Sequence, residues 1–200
     1  MKKRKMKRKI KKWIYIVVLC CLIFSFFFTF FKFIKLSSNY NKTVHLVEDL
    51  QEDIPADVPI FVVDEDGEEK EVYTRDFAKL KSINSDTVGW IEVEESSINY
   101  PIVQTKDNTY YLTHSFNKKK NVNGWVFMNM GSSSHLSDQN TVIFAHDSIF
   151  KDLATLYKAK NKKDVEIKIY QEDKVVIYEI FSLYMTTESD VTILENKLPS

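Results

Sequence analysis

The chain is 200 residues long, which is enough for one modest domain and some additional segments. Its 28 Lys and Arg balance its 28 Asp and Glu, but residues 2–12 hold nine of the bases and no acid. From Leu36 onward 17 bases stand against 28 acids, so that part is acidic. With only four Gly, a loop that cradles nucleotide phosphates is not expected. A basic cluster can bind nucleic acid, but this one adjoins an apolar run, and we expect no nucleic-acid partner.

That apolar run extends from Trp13 to Phe31, nineteen residues without a charge and rich in Phe, Ile, Val and Leu. At about 1.5 Å per residue, a helix of this length spans roughly 28 Å, close to the thickness of a bilayer's hydrocarbon core. Nine bases precede the run, and only Lys32 and Lys35 follow it closely. This asymmetry predicts a single-pass anchor in the cell membrane, with the N-terminus in the cytoplasm and the C-terminal domain outside.

Other interpretations of the apolar run are weaker. A cleaved signal peptide would have a shorter apolar core and a small-x-small cleavage site, where this chain has Phe26, Phe27 and Phe28. Cys20 and Cys21, the only cysteines, lie in the middle of the run. Adjacent cysteines rarely bridge each other, and two ligands alone do not make a metal site. We expect them to be apolar filler, and we expect no disulfide, metal or cofactor elsewhere.

Charge and hydropathy divide the chain into four predicted regions: a cytoplasmic basic segment (1–12), a transmembrane anchor (13–31), a stalk (32–73) and a folded domain (74–200). Within the stalk, Leu46, Leu50 and Ile54 recur four residues apart, which predicts a short amphipathic helix. Pro55 follows directly and is expected to end it.

The stalk also contains a predicted β-hairpin, because the apolar stretches 60–63 and 71–73 flank the turn-forming Gly67. The many acids around this turn invite a calcium-binding interpretation. Counting back from Gly67, however, an EF-hand loop would place Val62 at its first ligand position and Tyr73 at its last. We therefore predict a solvated turn rather than a calcium site.

Local patterns predict the elements of the folded domain. A helix is expected to open at Thr74, with Phe77, Leu80 and Ile83 facing inward at spacings of three. Pro101 places its strand at a sheet edge or makes it the strand's start. The predicted strands are 88–94, 100–104, 125–129, 165–169 and 174–187, and the later helices are a short one capped by Asp107 and another at 150–157.

A buried strand is predicted for Asn140 to His146, since its centre is β-branched or aromatic and turn formers flank it. This strand delivers His146 at its C-terminal tip, with Asp147 just beyond. An imidazole where a rigid strand gives way to a loop is well placed for proton transfer near neutral pH. On this evidence alone, a surface or packing role for His146 stays the main alternative.

Several motifs in register resemble the class B sortases of Gram-positive bacteria. The resemblance runs from about Asn84 to Asp190. The motifs are Asn-Ser-Asp-Thr-Val-Gly-Trp-Ile (84–91), Ile-Asn-Tyr-Pro-Ile-Val-Gln (98–104), Lys-Asp-Asn-Thr-Tyr-Tyr-Leu-Thr-His (106–114), Gly-Trp-Val-Phe-Met-Asn (124–129), the His146 strand and Tyr-Glu-Ile-Phe-Ser-Leu-Tyr-Met-Thr-Thr (178–187).

The resemblance implies a mainly β fold, a sortase-type β-barrel with peripheral short helices behind the N-terminal transmembrane helix. It implies a cysteine transpeptidase whose thiolate attacks a backbone carbonyl in the C-terminal sorting motif of a surface protein. An amine of a cell-wall peptidoglycan precursor then resolves the thioacyl-enzyme. His146 matches the family's catalytic His, which acts as general acid and base. His114 matches a family His without chemistry, for which we favour packing or a hydrogen bond, and His135 is given no role.

The match is incomplete at the nucleophile. The family carries its Cys on a later strand and an Arg on the strand after that, but this chain has only Cys20 and Cys21, and Arg75 is its only Arg outside the basic segment. We expect a C-terminally truncated sortase, with an incomplete barrel that lacks its C-terminal strands, and inactive alone. The strand 140–146 would then offer an unpaired edge that is prone to aggregation.

Two further points bear on activity. Asn129, Met130 and Gly131 stand where the family usually has an acid, an aromatic and an Arg, and Ala145 stands where it usually has Gly. We expect these departures to lie close to the active site and to weaken normal activity. The alternative function is a non-catalytic, membrane-tethered module that binds peptides or a partner protein without cutting.

Overall fold

The computed structural model describes residues 2–63, 67–146, 148–150, 152, 165–180 and 182, and only the backbone of residues 2–11 and 39. The chain divides into two compact units, Met1–Lys42 and Thr43–Ser200. Each unit is described by itself below. The helix α1, Lys2–Asp53, supplies all of the first unit and begins the second.

In the first unit, α1 carries the apolar run with its side chains exposed, from Trp13 to Phe33. Over the described residues, one helix is long and apolar enough to cross a membrane, judged by length and composition alone. The apolar stretch of this helix has none of its residues buried. Exposed side chains of this kind are what a helix surrounded by lipid presents.

The second unit begins with the end of α1, which packs against the core. Val47, Leu50 and Ile54 are buried, with Leu46 half-buried beside them. The predicted stalk helix is therefore confirmed as the last turns of α1. The helix ends at Asp53 because the residue before a proline is disfavoured in helical geometry, and Pro55 follows Ile54.

The predicted hairpin is also confirmed. Strand β1, Val58–Val63, pairs antiparallel with β2, Glu69–Thr74, in a two-stranded sheet of its own. Residues 64–66, at its tip, lie outside the described residues, so the expected solvated turn stays a prediction.

Over the residues that the structure describes, the main sheet has six strands in the order β6-β5-β4-β3-β7-β8. All neighbours are antiparallel except β4 and β5, which run parallel. Their bounds are β3 Thr87–Val93, β4 Asn99–Val103, β5 Phe127–Met128, β6 Ile143–Phe144, β7 Glu166–Tyr170 and β8 Val175–Glu179. The central strands carry the core, in which Trp90, Ile102, Trp125 and Phe116 are almost fully buried.

Helix α2, Phe77–Ile83, begins later than predicted. Thr74 belongs to β2, and the Asp76 carboxylate caps the helix by accepting from the Lys79 N–H. Phe77 and Leu80 are buried as expected, but Ile83 is 44% exposed. The structure buries Asn84 instead.

Asn84 can occupy this position because its side-chain amide is satisfied. The amide donates to the Tyr111 hydroxyl at 2.8 Å and to the Phe116 carbonyl at 2.7 Å. A buried amide with partners costs little, whereas a periodicity argument counts only apolar side chains. This explains why the expected third inward position at Ile83 was wrong.

Pro101 lies inside the sheet without disrupting it. On one side β4 pairs with β3, and on the other side it meets β5 only at Val103. The Pro101 carbonyl accepts from the Trp125 indole N–H at 2.9 Å. The expectation that Pro101 marks an edge strand or a strand start was therefore wrong, since β4 begins at Asn99 and lies between β3 and β5. The proline is tolerated because the first residues of β4 have a ladder only on the side of β3.

Several strands are shorter than predicted. The expected strand 125–129 is reduced to β5, and the expected buried strand 140–146 is reduced to β6, which is half-buried. Among the described strands, β6 has a single neighbour, β5, so one ladder holds it. Most of the predicted helix 150–157 and the end of the predicted strand 174–187 lie outside the described residues.

Candidate functional site

His146, predicted at the tip of the strand 140–146, lies two residues beyond the end of β6. The strand is held by β5, with Phe127 opposite Phe144 and Met128 opposite Ile143. The Phe127 and Phe144 rings stack with centroids 5.1 Å apart, and the Asn129 N–H donates to the Val142 carbonyl. These contacts fix the strand that leads to His146, while the imidazole itself is exposed.

The turn after His146 orients the ring. The His146 carbonyl accepts from the Ile149 and Phe150 N–H groups at 2.8 and 3.2 Å, and buried Ile149 anchors the turn in the core. The Ser148 N–H donates to Nδ1 of the ring at 3.3 Å, and the Ser148 hydroxyl lies 3.1 Å from the same atom. Because a backbone N–H can only donate, Nδ1 accepts, and the neutral ring carries its proton on Nε2.

The segment beyond this turn also contacts the sheet. The Asp152 carboxylate accepts from the Ser97 N–H at 2.7 Å, in the turn between β3 and β4. Strand directions place this turn and His146 at the same end of the sheet, because β3 and β6 run the same way. Asp147, which follows His146 directly, lies outside the described residues.

His114 has the packing and hydrogen-bonding role that was expected. Its ring stacks on Tyr110 with centroids 4.1 Å apart and planes 3° apart, and its Nδ1 is 2.8 Å from the Tyr110 carbonyl oxygen. The preceding segment is one 3-10 turn, Tyr110–Leu112, rather than a longer helix. Asp107 still organises it, accepting at one carboxylate oxygen from Thr109 and Tyr110, which lowers the pKa of Asp107.

The departures from the family pattern lie in two places. Ala145 directly precedes His146. Asn129 lies opposite Val142, four residues before His146, which corresponds to about 13 Å along an extended strand. The expectation that the departures at residues 129–131 lie close to the active site stays a prediction.

Asn129 instead organises a polar loop. Its side-chain oxygen accepts from the Asn108 amide at 3.2 Å and from the Gly131 N–H at 2.9 Å. The Gln104 amide donates to the carbonyls of Asn129 and Ser132. The uncharged Asn129 side chain thus holds the loop together through hydrogen bonds at this position.

A buried charge network was missed by the sequence reasoning, although Arg75 stood out as a lone Arg. Its guanidinium donates to the Ile54 carbonyl at 2.7 Å and to Glu92 and Asn99 at 3.3 Å each. It lies over the Trp90 ring, 4.1 Å from the centroid. Burial lowers the pKa of the Arg75 guanidinium, while the Glu92 carboxylate opposes that shift. A Tyr170 hydroxyl bond to Glu92 completes the network.

The described residues contain no group of three or more His, Cys, Asp or Glu side chains placed to hold a metal ion. His135, at the exposed loop, contributes its carbonyl to the Lys174 ammonium at 2.6 Å.

Comparison with known proteins addresses the family directly. The chain is 33% identical over 149 residues to sortase B of Listeria monocytogenes, covering 65% of this chain and 60% of the relative. It is 31% identical over 119 residues to sortase B of Staphylococcus aureus, covering 57% of this chain and 49% of the relative. A crystal structure of Clostridium perfringens sortase B matches with a TM-score of 0.56 and 31% identity, covering 62% of this chain and 70% of that one.

The chain belongs to the class B sortases. The mainly β fold with short helices that the sequence predicted is confirmed by these structural neighbours. The chain matches no family profile. It spans 60% of the length of the Listeria relative and 49% of the length of the Staphylococcus relative. The sortase resemblance read from the motifs is thus established at the level of the family.

Proposed function

We propose that this chain serves class B sortase transpeptidation, with His146 as the general acid and base. The observation that carries the proposal is the placement of His146 in a chain of this family. The exposed imidazole lies two residues beyond β6, and Ser148 fixes which ring nitrogen carries the proton of the neutral ring. The proposed substrates are surface proteins with a C-terminal sorting motif and a cell-wall peptidoglycan precursor that supplies an amine.

The proposed role of His146 is proton transfer in both halves of the reaction. A Cys thiolate attacks the scissile carbonyl, and protonated His146 gives its proton to the departing amine, leaving a thioester. The neutral ring then takes a proton from the incoming amine as that amine attacks the thioester and expels the thiolate. The product is a peptide bond to the wall precursor, and the Cys and His return to their starting forms.

The thiol for this reaction is not among the exported residues of this chain. Both cysteines, Cys20 and Cys21, lie in the apolar run of α1. Thiol chemistry at the His146 end needs a Cys there. We therefore propose that the 200 residues alone do not cleave or transfer sorting peptides.

A chimera tests the role of His146. The C-terminal part of Listeria monocytogenes sortase B that carries the family Cys and Arg would be joined after Ser200. Peptides from the sorting regions of surface proteins encoded in the same genome would serve as substrates. We expect turnover by the chimera, none by the unmodified chain, and loss of turnover in the His146→Ala chimera.

The control for this chimera is His135→Ala, an exposed loop His without a proposed role. Hydrogen exchange should first establish that each chimera retains protection in β3 and β7. A folded chimera whose turnover survives His146→Ala would reject the assignment of His146. Turnover by the unmodified chain would reject its proposed inactivity.

We also propose that residues 13–31 anchor the protein in the membrane, with residues 1–12 in the cytoplasm and the sortase-like domain, 74–200, outside. Support comes from the charge asymmetry around the apolar run and from the apolar surface of α1. Protease added to intact, wall-stripped cells should digest the chain beyond Ser37. Complete protection of that region would contradict the orientation.

The second candidate function is a tethered module that binds sorting peptides or a partner without cutting. The absence of Cys from residues 36–200 favours it. Binding of the same peptides to the unmodified chain, together with a folded but inactive chimera, would support this function over transpeptidation.

A further inference from the structure

One face of the β1–β2 hairpin is apolar and exposed, which is unusual for a strand pair beside a core. Along β1, Val58, Ile60 and Val62 are half-buried, while the alternate residues Pro59, Phe61 and Val63 are exposed. Strands of this kind normally place polar side chains on the solvent side. Here Phe61 is 66% exposed and Val63 is 71% exposed.

Strand β2 completes this surface, which we call the hairpin face: Pro59, Phe61, Val63, Glu69, Glu71 and Tyr73. Directly opposed residues lie on the same side of an antiparallel pair, and the register places Tyr73 opposite Pro59, Glu71 opposite Phe61 and Glu69 opposite Val63. The Tyr73 hydroxyl donates to the Glu71 carboxylate at 3.2 Å. An apolar column therefore runs beside a column of one aromatic and two carboxylates.

The charge of the hairpin restricts what can cover this face. Its exposed described residues include Glu68, Glu69 and Glu71 against Lys70. An anionic lipid surface would be repelled, and two copies meeting through the same face would oppose their carboxylates. A cationic partner with apolar side chains complements both columns.

Backbone geometry indicates how such a partner would bind. Within the described strands, β1 pairs with β2 and with no other strand. An extended peptide can add to such an edge through main-chain hydrogen bonds, and its alternate side chains then fall on one face. Those side chains would lie beside Pro59, Phe61 and Val63.

This surface is separate from His146. At the base of the hairpin, the Thr74 hydroxyl donates to the Gln171 carbonyl at 2.6 Å. Gln171 follows β7, which runs opposite to β6, so the base of the hairpin and His146 are at opposite ends of the sheet. We propose that the hairpin face is a docking surface for an extended, cationic polypeptide segment with alternating basic and apolar side chains. The proposal does not depend on the role of His146.

The test uses the full chain in phosphatidylcholine nanodiscs and a fluorescent, N-acetylated probe peptide, Lys-Val-Lys-Phe-Lys-Val-Lys. The comparison peptide replaces every Lys by Glu. We expect saturable binding of the basic peptide, weakening as salt is raised, whereas any binding of the acidic one to the basic segment 1–12 should not depend on Phe61 and Val63. Phe61→Thr combined with Val63→Thr keeps every carboxylate and should weaken binding about tenfold or more.

The matched control is Ile177→Thr, which removes an exposed apolar side chain, 55% accessible, from β8. It should bind the basic peptide as the parent chain does. Equal binding by the parent and the Phe61→Thr/Val63→Thr variant would show attraction to an acidic domain in general and overturn the proposal, as would absence of binding. If the chain captures phosphatidylglycerol vesicles and this capture requires Phe61 and Val63, the hairpin face binds a membrane and the proposal is wrong. If the chain self-associates through the same two residues, the partner is a second copy and the proposal is wrong as well.

Discussion

The centre and one margin of the main sheet differ in how firmly the sequence determines them. Strand β3 has seven residues, a neighbour on each side, and five buried residues. Strand β6, which leads to His146, has two residues, one described neighbour and no fully buried side chain. The residue proposed to do chemistry thus follows the weaker strand.

This difference separates the scaffold from the candidate site. At β3, core packing and the Arg75–Glu92 network involve the same residues. A substitution there would therefore remove packing contacts and hydrogen bonds together. At β6, one short ladder and one ring stack hold the strand, and exposure leaves the imidazole accessible. A side chain contributes most to stability when it is buried, but it can reach a substrate only when it is exposed. Strand β3 provides the buried side chains, and β6 leads to the exposed imidazole. Substitutions in full-length protein in nanodiscs can measure this division.

The largest effect is expected for Trp90→Ala in β3. The side chain is fully buried, its indole N–H donates to Asn99, and Arg75 lies over its ring. Removing a buried Trp costs about 3–5 kcal/mol through lost burial and the cavity left behind. The loss should appear as a lower free energy of unfolding when urea unfolding is monitored by hydrogen exchange of the β3 amides. A loss below that of a β6 substitution would contradict the comparison.

Arg75→Met should have the next largest effect. Leaving a buried partner of an ion pair without its charge costs about 3–5 kcal/mol, and we expect about 2 kcal/mol because the Glu92 side chain is 32% exposed. Lys168→Met is the matched control, since the Lys168–Glu94 pair is nearer the surface and should matter by less than about 1 kcal/mol. Equal urea midpoints for the two variants would reject a special role for the buried network.

Tyr111→Phe should change both stability and its pH dependence. At neutral pH the variant loses the hydroxyl bonds with Asn84 and Asp86, about 1–2 kcal/mol. Burial raises the pKa of Tyr111, so the unfolded side chain ionises near its ordinary pKa of about 10 while the folded one stays protonated. The stabilisation is complete below that pH and is lost as pH rises toward the folded pKa.

The measurement for Tyr111 is the urea midpoint of the parent and variant between pH 7 and 11. The gap between the two curves should narrow above about pH 10, because the parent alone loses the contribution of this hydroxyl. Curves that stay parallel would show that the buried hydroxyl is not coupled to alkaline unfolding.

The smallest effect is expected for Phe144→Leu in β6. The variant loses the stack on Phe127 but keeps an apolar side chain at a half-buried position, so about 1 kcal/mol or less should be lost. Amides of Ile143 and Phe144 should also exchange faster than those of β3 in the parent chain. Slower exchange in β6 than in β3 would reverse the comparison.

The sequence predicted the secondary structure best where one local property, such as alternation or turn-forming residues, determines it. Alternation and β-branched residues located β3, β4 and β7 to within two residues at each end. The hairpin followed from turn chemistry, and the placement of His146 at a strand end followed from the same rules. The apolar spacing in 46–54 found a helical segment, although not that it continues from α1.

Local sequence patterns were insufficient where contacts between distant residues determine which side chains are buried and where strands end. Ile83 fits a helical apolar face, but Asn84 is buried because Tyr111 and Phe116 satisfy its amide. The β-branched and aromatic residues between the turn formers at 140 and 147 predicted a longer strand than the two residues of β6. The contacts of Arg75 join residues far apart in the sequence, and the bonds to Ser148 depend on the turn that follows β6.

The position of β3 in the sheet has a consequence for the order of folding. Its two neighbours are β4, which follows it closely, and β7, which is synthesised much later. The bond between Glu92 and Tyr170 joins residues 78 positions apart. Contacts of such long range form slowly, and a chain still being made exposes the apolar side of β3 until β7 has emerged. Strand β3, with five buried residues, is thus the described strand that waits longest for its second neighbour, and dependence on a chaperone should be greatest during that interval.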